Sequence, residues 1–407
     1  MKTDVFCPVL RFAVCSDLHI HEENDVQVQR LRQLMQSAYR LAQQSESYRA
    51  LDAFLFAGDL TNGGTPAQYR AFWDAVQSEI QPETRVIACV ARAHDNWEKG
   101  RVAEKTGLRH FREITGLSTD THLRLGAFHF IAISTCEKKG RYYSYRQKRF
   151  LRRALAQAAK ENPRLPVFVM QHEHITGTVY GSSTFDGWGN AYFKKILARY
   201  PQVVHFSGHS HYPLNDPRSV YQSDFTAVGT GALRYAEFTV DKQRTVHPPQ
   251  YETIAQGWIV EVDEAGRVKL DGYDFLSGTR LCSYLLHVQG EKKNFTLSPA
   301  QQKARSSAPR FPFDAKIETE RSENALTLTF PAAESTDGFP VFLYRVFFKD
   351  KDGKTLSSAF VLHEYWFAHE KPTYTCTMEI PKNAASLTVT AENAYGMTGA
   401  ALTKEDF

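Results

Sequence analysis

The sequence predicts an α/β layered fold followed by a small all-β sandwich. Three observations predict it: strands and helices alternate through the first half of the chain, polar residues follow the predicted strands, and the C-terminal part contains strands alone. A chain of 407 residues is too long for one ordinary core, so we expect two or three domains. We place a first domain at residues 1–290, a linker at 291–310 and a β-sandwich domain at 311–407.

The composition is that of a soluble globular protein. Hydrophobic residues make up 42% and charged residues 23%, and a net charge of +4 gives no clear nucleic-acid signal. No apolar run approaches the ~20 residues that a membrane span needs. The N-terminus has no apolar segment or cleavage site of a secretion signal, so we expect a cytoplasmic location, or export if a signal was removed. Six scattered cysteines without Cys-x-x-Cys spacing predict reduced, structural thiols.

Apolar runs and helical periodicity place the first elements in order. The run that begins at Phe12 is the first strand, and apolar residues at three and four residue steps between 28 and 41 predict an amphipathic helix. A second strand at 53–57 is followed by a helix that starts at Pro66, because proline suits the first helical position. A third strand is predicted at 86–90.

The pattern continues through the rest of the first domain. We predict a hairpin within 123–131, a helix opened by Ser144, a strand at 166–170, a helix at 191–199 and a strand at 203–206. Residues 212 to about 290 have the pattern of strands, among them 225–229, 233–240, 258–262 and 268–275. We expect these strands to close a second sheet of the same domain.

Five polar blocks stand at or near the ends of the predicted strands. The carboxyl ends of strands in an α/β sheet meet at one edge, so we expect the blocks to converge there. Carboxylate oxygens and imidazole nitrogens are suitable ligands for Mn, Fe or Zn. The blocks are Asp17-x-His19, Gly58-Asp59, His94-Asp95, His172 and Gly208-His209-x-His211.

The order of these blocks resembles the calcineurin-like metallophosphoesterase superfamily over about residues 11 to 275. The resemblance implies a four-layer αββα sandwich and a dinuclear centre of two divalent or trivalent ions. It also implies hydrolysis of a phosphomonoester, phosphodiester or pyrophosphate by a metal-activated hydroxide, with a phosphorylated small molecule or ester as substrate. In this resemblance one ion is held by Asp17, His19 and His211, the second by His172 and His209, and Asp59 bridges both.

The resemblance also suggests roles around the ions. His94 is expected to protonate the leaving alkoxide as a general acid, and Asp95 to orient the ring of His94. Asn62, three residues after Asp59, is expected to support the ligands without binding an ion.

One departure from the family pattern concerns the third block. Members usually carry Gly-Asn-His, whose Asn binds the second ion, but this chain has Arg92-Ala93-His94. Three readings stay open: fewer ligands hold the second ion, Arg92 grips phosphate directly, or Asn96 reaches into the site. Arg92 could also repel the second cation. The alternative function is therefore a one-metal or inactive phosphoesterase that acts as a binding or adaptor protein.

Other chemistry-bearing residues have ordinary structural readings. His174 lies near His172 without an assigned role, and His172-Glu173-His174 lacks the spacing of a helical zinc protease. Tyr180 and Trp188, in the loop 176–189, either stack on a substrate or anchor that loop. The basic and aromatic run at 141–149 is read as a solvated helix face rather than a nucleic-acid groove, and a nuclease ranks low.

The C-terminal domain shows strict alternation of apolar and polar residues in its strands at 326–330, 344–348 and 387–391. Its closing residues 391–396 resemble the last strands of fibronectin type III domains, and the domain is a candidate for protein or glycan contact. Substrate specificity is expected to depend on the loops 176–189 and 212–222.

Overall fold

The computed structural model describes residues 5–23, 25–98, 101–102, 106–135, 142–241, 243–367, 369 and 371–407. Contacts divide the chain into two units, Met1–Ser298 and Pro299–Phe407. The predicted linker at 291–310 spans this boundary and contains a helical turn at Lys292–Asn294 and a short helix at Pro299–Arg305.

The first unit alternates strands and helices, as the sequence predicts. Its helices are α1 Val26–Gln43, α2 Pro66–Glu79, α3 Thr106–Thr115, α4 Tyr145–Glu161 and α5 Lys194–Leu197. Its strands are β1 Pro8–Cys15, β2 Ala53–Ala57, β3 Arg85–Cys89, β4 Trp97–Glu98, β5 Arg101–Val102, β6 Asp120–Leu125, β7 Phe128–Ile133, β8 Val167–Met170, β9 His174–Ile175, β10 Gly189–Asn190, β11 Val203–Ser207, β12 Val220–Gln222, β13 Thr226–Gly229, β14 Phe238–Val240, β15 Gln243–Val246, β16 Gln256–Asp263, β17 Arg267–Asp274 and β18 Thr279–His287.

Two six-stranded sheets form the centre of this unit. The first has the order β18-β17-β16-β1-β2-β3, and the second has the order β12-β13-β11-β8-β7-β6. Strands β1, β2 and β3 are parallel, and so are β7, β8, β11 and β13. The carboxyl ends of each parallel set therefore lie at one edge of their sheet.

Apolar side chains hold the sheets and helices in four layers. Phe12 lies between the sheets, with its ring centroid 5.2 Å from that of Phe130 and 4.7 Å from that of Phe168. Helices α1, α2 and α3 cover the outer face of the first sheet, whereas α4 and α5 cover the second. The expected αββα sandwich is confirmed.

The starts of two helices follow the local sequence closely. Helix α2 begins at Pro66, and Thr65 caps it in a reciprocal capping box with Gln68. Helix α4 is capped in the same way by Ser144, the residue that the sequence predicts to open it. Short-range hydrogen bonds of this kind are readable from sequence because both partners lie within one turn.

Three expectations about the first unit need correction. Strands after residue 212 close the second sheet only in part: β13 pairs parallel with β11 of the second sheet, whereas β16 pairs antiparallel with β1 and extends the first sheet. Of the predicted strand 233–240 only Phe238–Val240 is extended in a ladder, since Leu233 and Glu237 bond to loop residues instead. The predicted helix 191–199 shortens to Lys194–Leu197.

The second unit is all-β apart from its first helix. After α6 Pro299–Arg305, the strands are β19 Glu318–Arg321, β20 Ala325–Pro331, β21 Val341–Lys349, β22 Thr355–Leu362, β23 Thr373–Glu379, β24 Ser386–Asn393 and β25 Leu402–Lys404. They form a three-stranded sheet, β19-β20-β23, and a four-stranded sheet, β22-β21-β24-β25. Leu328, Tyr344 and Val389 lie in the core of this unit. Its likeness to a fibronectin type III domain stays a prediction.

Two compositional expectations can be compared with the described residues. Cys7, Cys15, Cys89, Cys282 and Cys376 are free thiols, and Cys136 lies outside the described residues. Across the described part of the chain, no helix combines the length and the apolar character that a membrane crossing requires.

Candidate metal centre

Hydrogen bonds between backbone groups join the segments that follow β1 and β2. The amide of Asp17 donates to the carbonyl of Gly58 at 3.0 Å, and the amide of His19 donates to the carbonyl of Asp59 at 3.0 Å. The first two polar blocks are thus held side by side at the carboxyl edge of the first sheet. This is the convergence that the strand-end pattern predicts.

The second sheet contributes the other blocks. His172 follows β8 and His209 follows β11, and the amide of Gly208 donates to the carbonyl of His172 at 3.0 Å. The amide of His209 donates to both carboxylate oxygens of Asp17 at 3.1 Å. One carboxylate therefore links the ends of the two sheets.

The backbone at this edge adopts an uncommon conformation. Five of the predicted ligands have positive φ, a region that costs a non-glycine residue on the order of 1–2 kcal/mol. Such conformations persist only where surrounding contacts enforce them, and they concentrate at functional sites. The residues are Asp17 (56°), His19 (50°), Asp59 (49°), His209 (78°) and His211 (57°).

The side chains form two groups with one shared member. In each group the candidate ligand atoms lie within 4.8 Å of one another. These groups have the same membership as the two ligand sets that the family resemblance implies. The first is Asp17, His19, Asp59 and His211, and the second is Asp59, His172 and His209.

Distances around Asp59 show why it belongs to both groups. Its Oδ2 lies 3.2 Å from Nε2 of His172 and 3.7 Å from Nε2 of His19. Its Oδ1 is buried and has no hydrogen-bond partner among the described residues. A buried carboxylate oxygen without a partner is costly in an apolar setting, and a bound cation would satisfy it.

Imidazole nitrogens face one another across the site. Nε2 of His19 lies 3.0 Å from Nε2 of His211, and Nε2 of His172 lies 3.1 Å from Nδ1 of His209. Each pair points at a common volume, and the donor set of carboxylates and imidazoles suits Mn, Fe or Zn. The residues present therefore fit two metal ions.

The ring of His172 is held in one orientation. Its Nδ1 lies 2.9 Å from the carbonyl oxygen of Ala57, which can only accept, so Nδ1 carries the proton. Nε2 is then the nitrogen that faces Asp59. A backbone carbonyl that orients a ligating histidine is a common supporting contact in metal sites.

Electrostatics sets the protonation states of the candidate ligands. Burial alone would lower the pKa of His172, but the carboxylates of Asp59 and Asp17 hold it well above its ordinary value, so a cation that binds there displaces a proton. Burial lowers the pKa of His19 well below its ordinary value and that of His209 to about 3, so both imidazoles are neutral. Burial would raise the pKa of Asp17 and of Asp59, but nearby imidazoles, chiefly His211 and His172, hold both below their usual range. Neutral imidazoles and ionised carboxylates are the forms that ligate cations.

Asp95 does not orient His94, contrary to the expectation. Its Oδ1 accepts from the amide and hydroxyl of Thr61 at 2.8 and 2.9 Å, and its Oδ2 accepts from the amide of Ala91 at 2.9 Å. Burial, followed by the charge of Asp59, raises the pKa of Asp95 to about 7. Asp95 instead ties the loop after β2 to the loop after β3. The donors to its oxygens among the described residues are groups of Thr61 and Ala91, and the ring of His94 bonds to another acceptor.

His94 takes its orientation from another group. Its Nδ1 lies 3.4 Å from the backbone carbonyl of Asn62, and its ring centroid lies 4.4 Å from that of His19. His94 is therefore beside the candidate metal centre, where a general acid is expected.

Two alternatives for neighbouring residues are now decided. Asn96 does not reach into the site, because its amide nitrogen donates to Ala91 and its oxygen accepts from the Leu108 amide. His174 is buried with both nitrogens 2.8 Å from hydroxyls, those of Ser207 and Ser210. Both side chains are committed to holding loops in place.

The sequence leaves open whether the aromatic residues of the loop 176–189 stack on a substrate or anchor the loop. Tyr180 anchors its loop, since its hydroxyl donates to the carbonyl of Thr239 at 2.8 Å. The ring of Trp188 lies 5.0 Å from that of His209, against the second ligand group. The guanidinium of Arg92 lies over the ring of Tyr142 at 5.0 Å.

Sequence reasoning missed two residues beside the ligands. Tyr235 places its ring 4.1 Å from that of His211, and Arg234 donates from Nη1 to Oδ1 of Asn62 at 3.2 Å. Both fall in the segment predicted as a strand, with no motif around them. The one sequence signal for them is that an arginine and a tyrosine are adjacent after the last polar block.

The two-sheet sandwich and its convergent carboxylates and imidazoles are the architecture of the metallophosphoesterase class. The calcineurin-like phosphoesterase family matches residues 10–213, and the chain belongs to that family. The family model ends shortly after His211 and so includes every predicted ligand.

Similarity to individual proteins is distant. No curated protein sequence matches the chain. A purple acid phosphatase from yellow lupin (Lupinus luteus) seeds is 14% identical, with a TM-score of 0.48 over 69% of this chain and 54% of its own. The chain thus spans about half the length of that phosphatase. GAP50, the anchor in the inner membrane complex of Plasmodium, is also 14% identical, with a TM-score of 0.45 over 72% of this chain and 94% of its own.

Gly208 provides a test of how tightly the site is built. A Cβ at this position would overlap the Asp17 carboxylate and the Ser16 hydroxyl, which donates to that carboxylate. We expect Gly208→Ala to weaken metal binding about 10- to 100-fold, the usual cost of disturbing a ligand's support. Titration of the metal-free protein with Mn²⁺ measures the effect.

Gly229→Ala is the matched control, because its Cβ would meet Ser219 at an ordinary 3.7 Å. Equal Mn²⁺ affinity in the two variants would contradict the crowding around Asp17.

Proposed function

We propose that this protein hydrolyses a phosphate ester at a dinuclear metal centre. The observation that supports it most is the sharing of Asp59 by two groups of ligands, all of them buried except the half-buried His209. A shared carboxylate is the arrangement that holds two cations close enough to act on one phosphoryl group. The substrate is a phosphomonoester, a phosphodiester or a pyrophosphate.

Each ligand has a place in this proposal. Asp17, His19 and His211 would hold one ion, His172 and His209 the other, and Asp59 both. When bound, the two ions supply Lewis-acid chemistry, polarising the phosphoryl oxygens and lowering the pKa of water. The oxygen and nitrogen donors are compatible with Mn, Fe or Zn.

His94 is proposed as the group that protonates the leaving alkoxide. Since the carbonyl of Asn62 can only accept, Nδ1 of His94 carries a proton, and Nε2 is the nitrogen that exchanges one with the substrate. A leaving alkoxide is strongly basic, so a proton delivered in the transition state lowers the barrier. The contact with Asn62 replaces the orienting contact expected from Asp95.

A second candidate is a phosphoesterase that lost an ion and acts as a binding protein. Ala93 favours it, because alanine cannot supply the amide oxygen that family members use for the second ion. Asn96, the nearest substitute in sequence, is occupied by backbone partners. The two candidates differ in ion stoichiometry, with close to two ions per chain for the enzyme and one or fewer for a decayed site.

Removing the shared carboxylate tests the enzyme. We expect Asp59→Asn to lower turnover of chromogenic mono- and diester substrates in Mn²⁺ by at least about 100-fold, because a neutral amide bridges two cations poorly. Steady-state kinetics gives the number. Asp74→Asn, an exposed carboxylate on α2, should leave turnover unchanged. Wild-type protein that carries two ions yet turns over none of a broad ester panel would refute the proposal.

Replacement of His94 tests its role as acid. His94→Ala should slow hydrolysis of an alkyl phosphate by about 100-fold or more, but that of 4-nitrophenyl phosphate much less, since nitrophenolate leaves without a proton. The comparison of kcat for the two leaving groups is the measurement. A uniform loss on both esters would mean that His94 only supports the ligands.

Restoring the missing amide tests the second ion. Ala93→Asn should tighten the weaker of two Mn²⁺ sites by about 10-fold, through one added oxygen ligand. Isothermal titration of metal-free protein resolves the two sites, and Ala93→Leu, which adds bulk without a ligand, serves as its control. An unchanged second site in Ala93→Asn would show that this position no longer faces the ion.

A further inference from the structure

Arg234 is a basic residue beside the site with no role in the family pattern of blocks. It lies in the segment after β13 that the sequence predicts as a strand and the structure shows as a loop. Its side chain is partly exposed, whereas every ligand but His209 is buried. A partly exposed guanidinium next to buried ligands is available to a molecule that enters from solvent.

The loop that carries Arg234 is fixed to the site on both sides of the residue. The amide of Leu233 donates to the carbonyl of Ser16 at 3.2 Å, and the amide of Glu237 donates to the carbonyl of His211 at 3.1 Å. Ser16 precedes the ligand Asp17 in the sequence, and His211 is itself a ligand. The position of the loop backbone is therefore coupled to the position of the candidate metal centre.

A second arginine holds the backbone of Arg234 itself. Arg30 of α1 is 8% exposed, and its Nη1 donates to the carbonyls of Leu233 at 3.0 Å and Arg234 at 2.5 Å. Its Nη2 donates to the carbonyl of Glu252 at 2.5 Å. Burying a guanidinium away from water costs free energy, and hydrogen bonds to these backbone carbonyls offset that cost. The same hydrogen bonds hold the backbone of the loop at Arg234 in place. A rigid backbone lowers the entropy cost of using the attached side chain for binding.

The side chain of Arg234 is positioned by two groups that adjoin the ligands. Nη1 donates to Oδ1 of Asn62 at 3.2 Å, and the guanidinium carbon lies 5.6 Å from the ring centroid of Tyr235. Tyr235 in turn packs against His211, and the carbonyl of Asn62 contacts His94. In space, one residue thus separates the guanidinium from the ligand His211, and another separates it from the candidate acid His94.

The chemistry of the group identifies what it would bind. A guanidinium presents five N–H donors in a planar fork that matches two oxygens of a phosphate, and it stays charged at any working pH. Only the donation to Asn62 pairs a donor of Arg234 with another described residue. The sequence suggested Arg92 for this task, but the guanidinium of Arg92 lies over Tyr142.

We propose that Arg234 binds a non-bridging oxygen of the substrate phosphate and thereby favours phosphomonoesters over phosphodiesters. This inference depends on the proposed function and names its substrate class. A monoester is a dianion with three terminal oxygens, whereas a diester is a monoanion with two. A fixed cation beside the ions therefore binds the monoester more tightly. Arg234 is a phosphate-binding residue in this account.

The experiment compares variants of the full chain loaded with Mn²⁺. Arg234→Gln removes the charge and the fork, Arg234→Lys keeps the charge, and Arg70→Gln replaces an exposed arginine of α2 as the matched control. Binding of inorganic phosphate is measured by isothermal titration, and kcat/KM is measured for 4-nitrophenyl phosphate and bis(4-nitrophenyl) phosphate. Metal content is determined for each variant.

We expect Arg234→Gln to raise the Kd for phosphate about 10- to 100-fold, the size of a hydrogen bond to a charged group. Its kcat/KM should fall by a similar factor for the monoester and by less for the diester, with metal content unchanged. Arg234→Lys should recover part of the loss, and Arg70→Gln should equal wild type. Asn62→Ala should cost less than Arg234→Gln, because it removes only a positioning contact.

Four outcomes would overturn the inference. An unchanged Kd for phosphate in Arg234→Gln, with wild-type turnover intact, refutes this inference alone. An equal loss on the two esters, or an equal loss in Asn62→Ala, assigns Arg234 a structural role. Wild-type protein that holds two ions but neither binds phosphate nor cleaves either ester refutes the proposed function as well.

Discussion

The shared carboxylate of Asp59 is the constraint on which the rest of the site depends. It is buried, one of its oxygens faces the imidazoles of His172 and His19, and the other has no partner among the described residues. A charge in that position is tolerated only with compensating charge around it. The imidazole of His172, whose pKa the carboxylate raises, provides part of it, and bound cations would supply the rest.

The backbone conformation at the strand ends directs the ligand side chains toward Asp59. Asp17, His19, Asp59, His209 and His211 all have left-handed φ, which each residue would avoid in a free peptide. The conformations are enforced by hydrogen bonds across strand ends, such as that from the amide of His209 to Asp17. The strain is local, and the large apolar core between and outside the two sheets offsets it.

A second layer of polar residues holds the loops rather than the ions. Asp95 joins the loops after β2 and β3, His174 joins two serines, and Arg30 fixes the loop of Arg234. Each is a residue type that motif reading associates with catalysis. Asp95 and Arg30 bond to backbone groups of the loops, and His174 bonds to two serine side chains. These contacts explain how the partly exposed groups, His94 and Arg234, obtain defined positions without being enclosed.

The sequence by itself determined the layered fold, the helix starts at Pro66 and Tyr145, and the six predicted ligands that now lie together. These follow from short-range signals: apolar runs, capping pairs within one turn, and polar residues at or near strand ends. Tertiary structure alone decided that Asn62 rather than Asp95 faces His94, that β16 pairs with β1, and that Arg234 meets Asn62. The last pair is 172 residues apart, and such contacts depend on the path of whole loops, which no local pattern encodes.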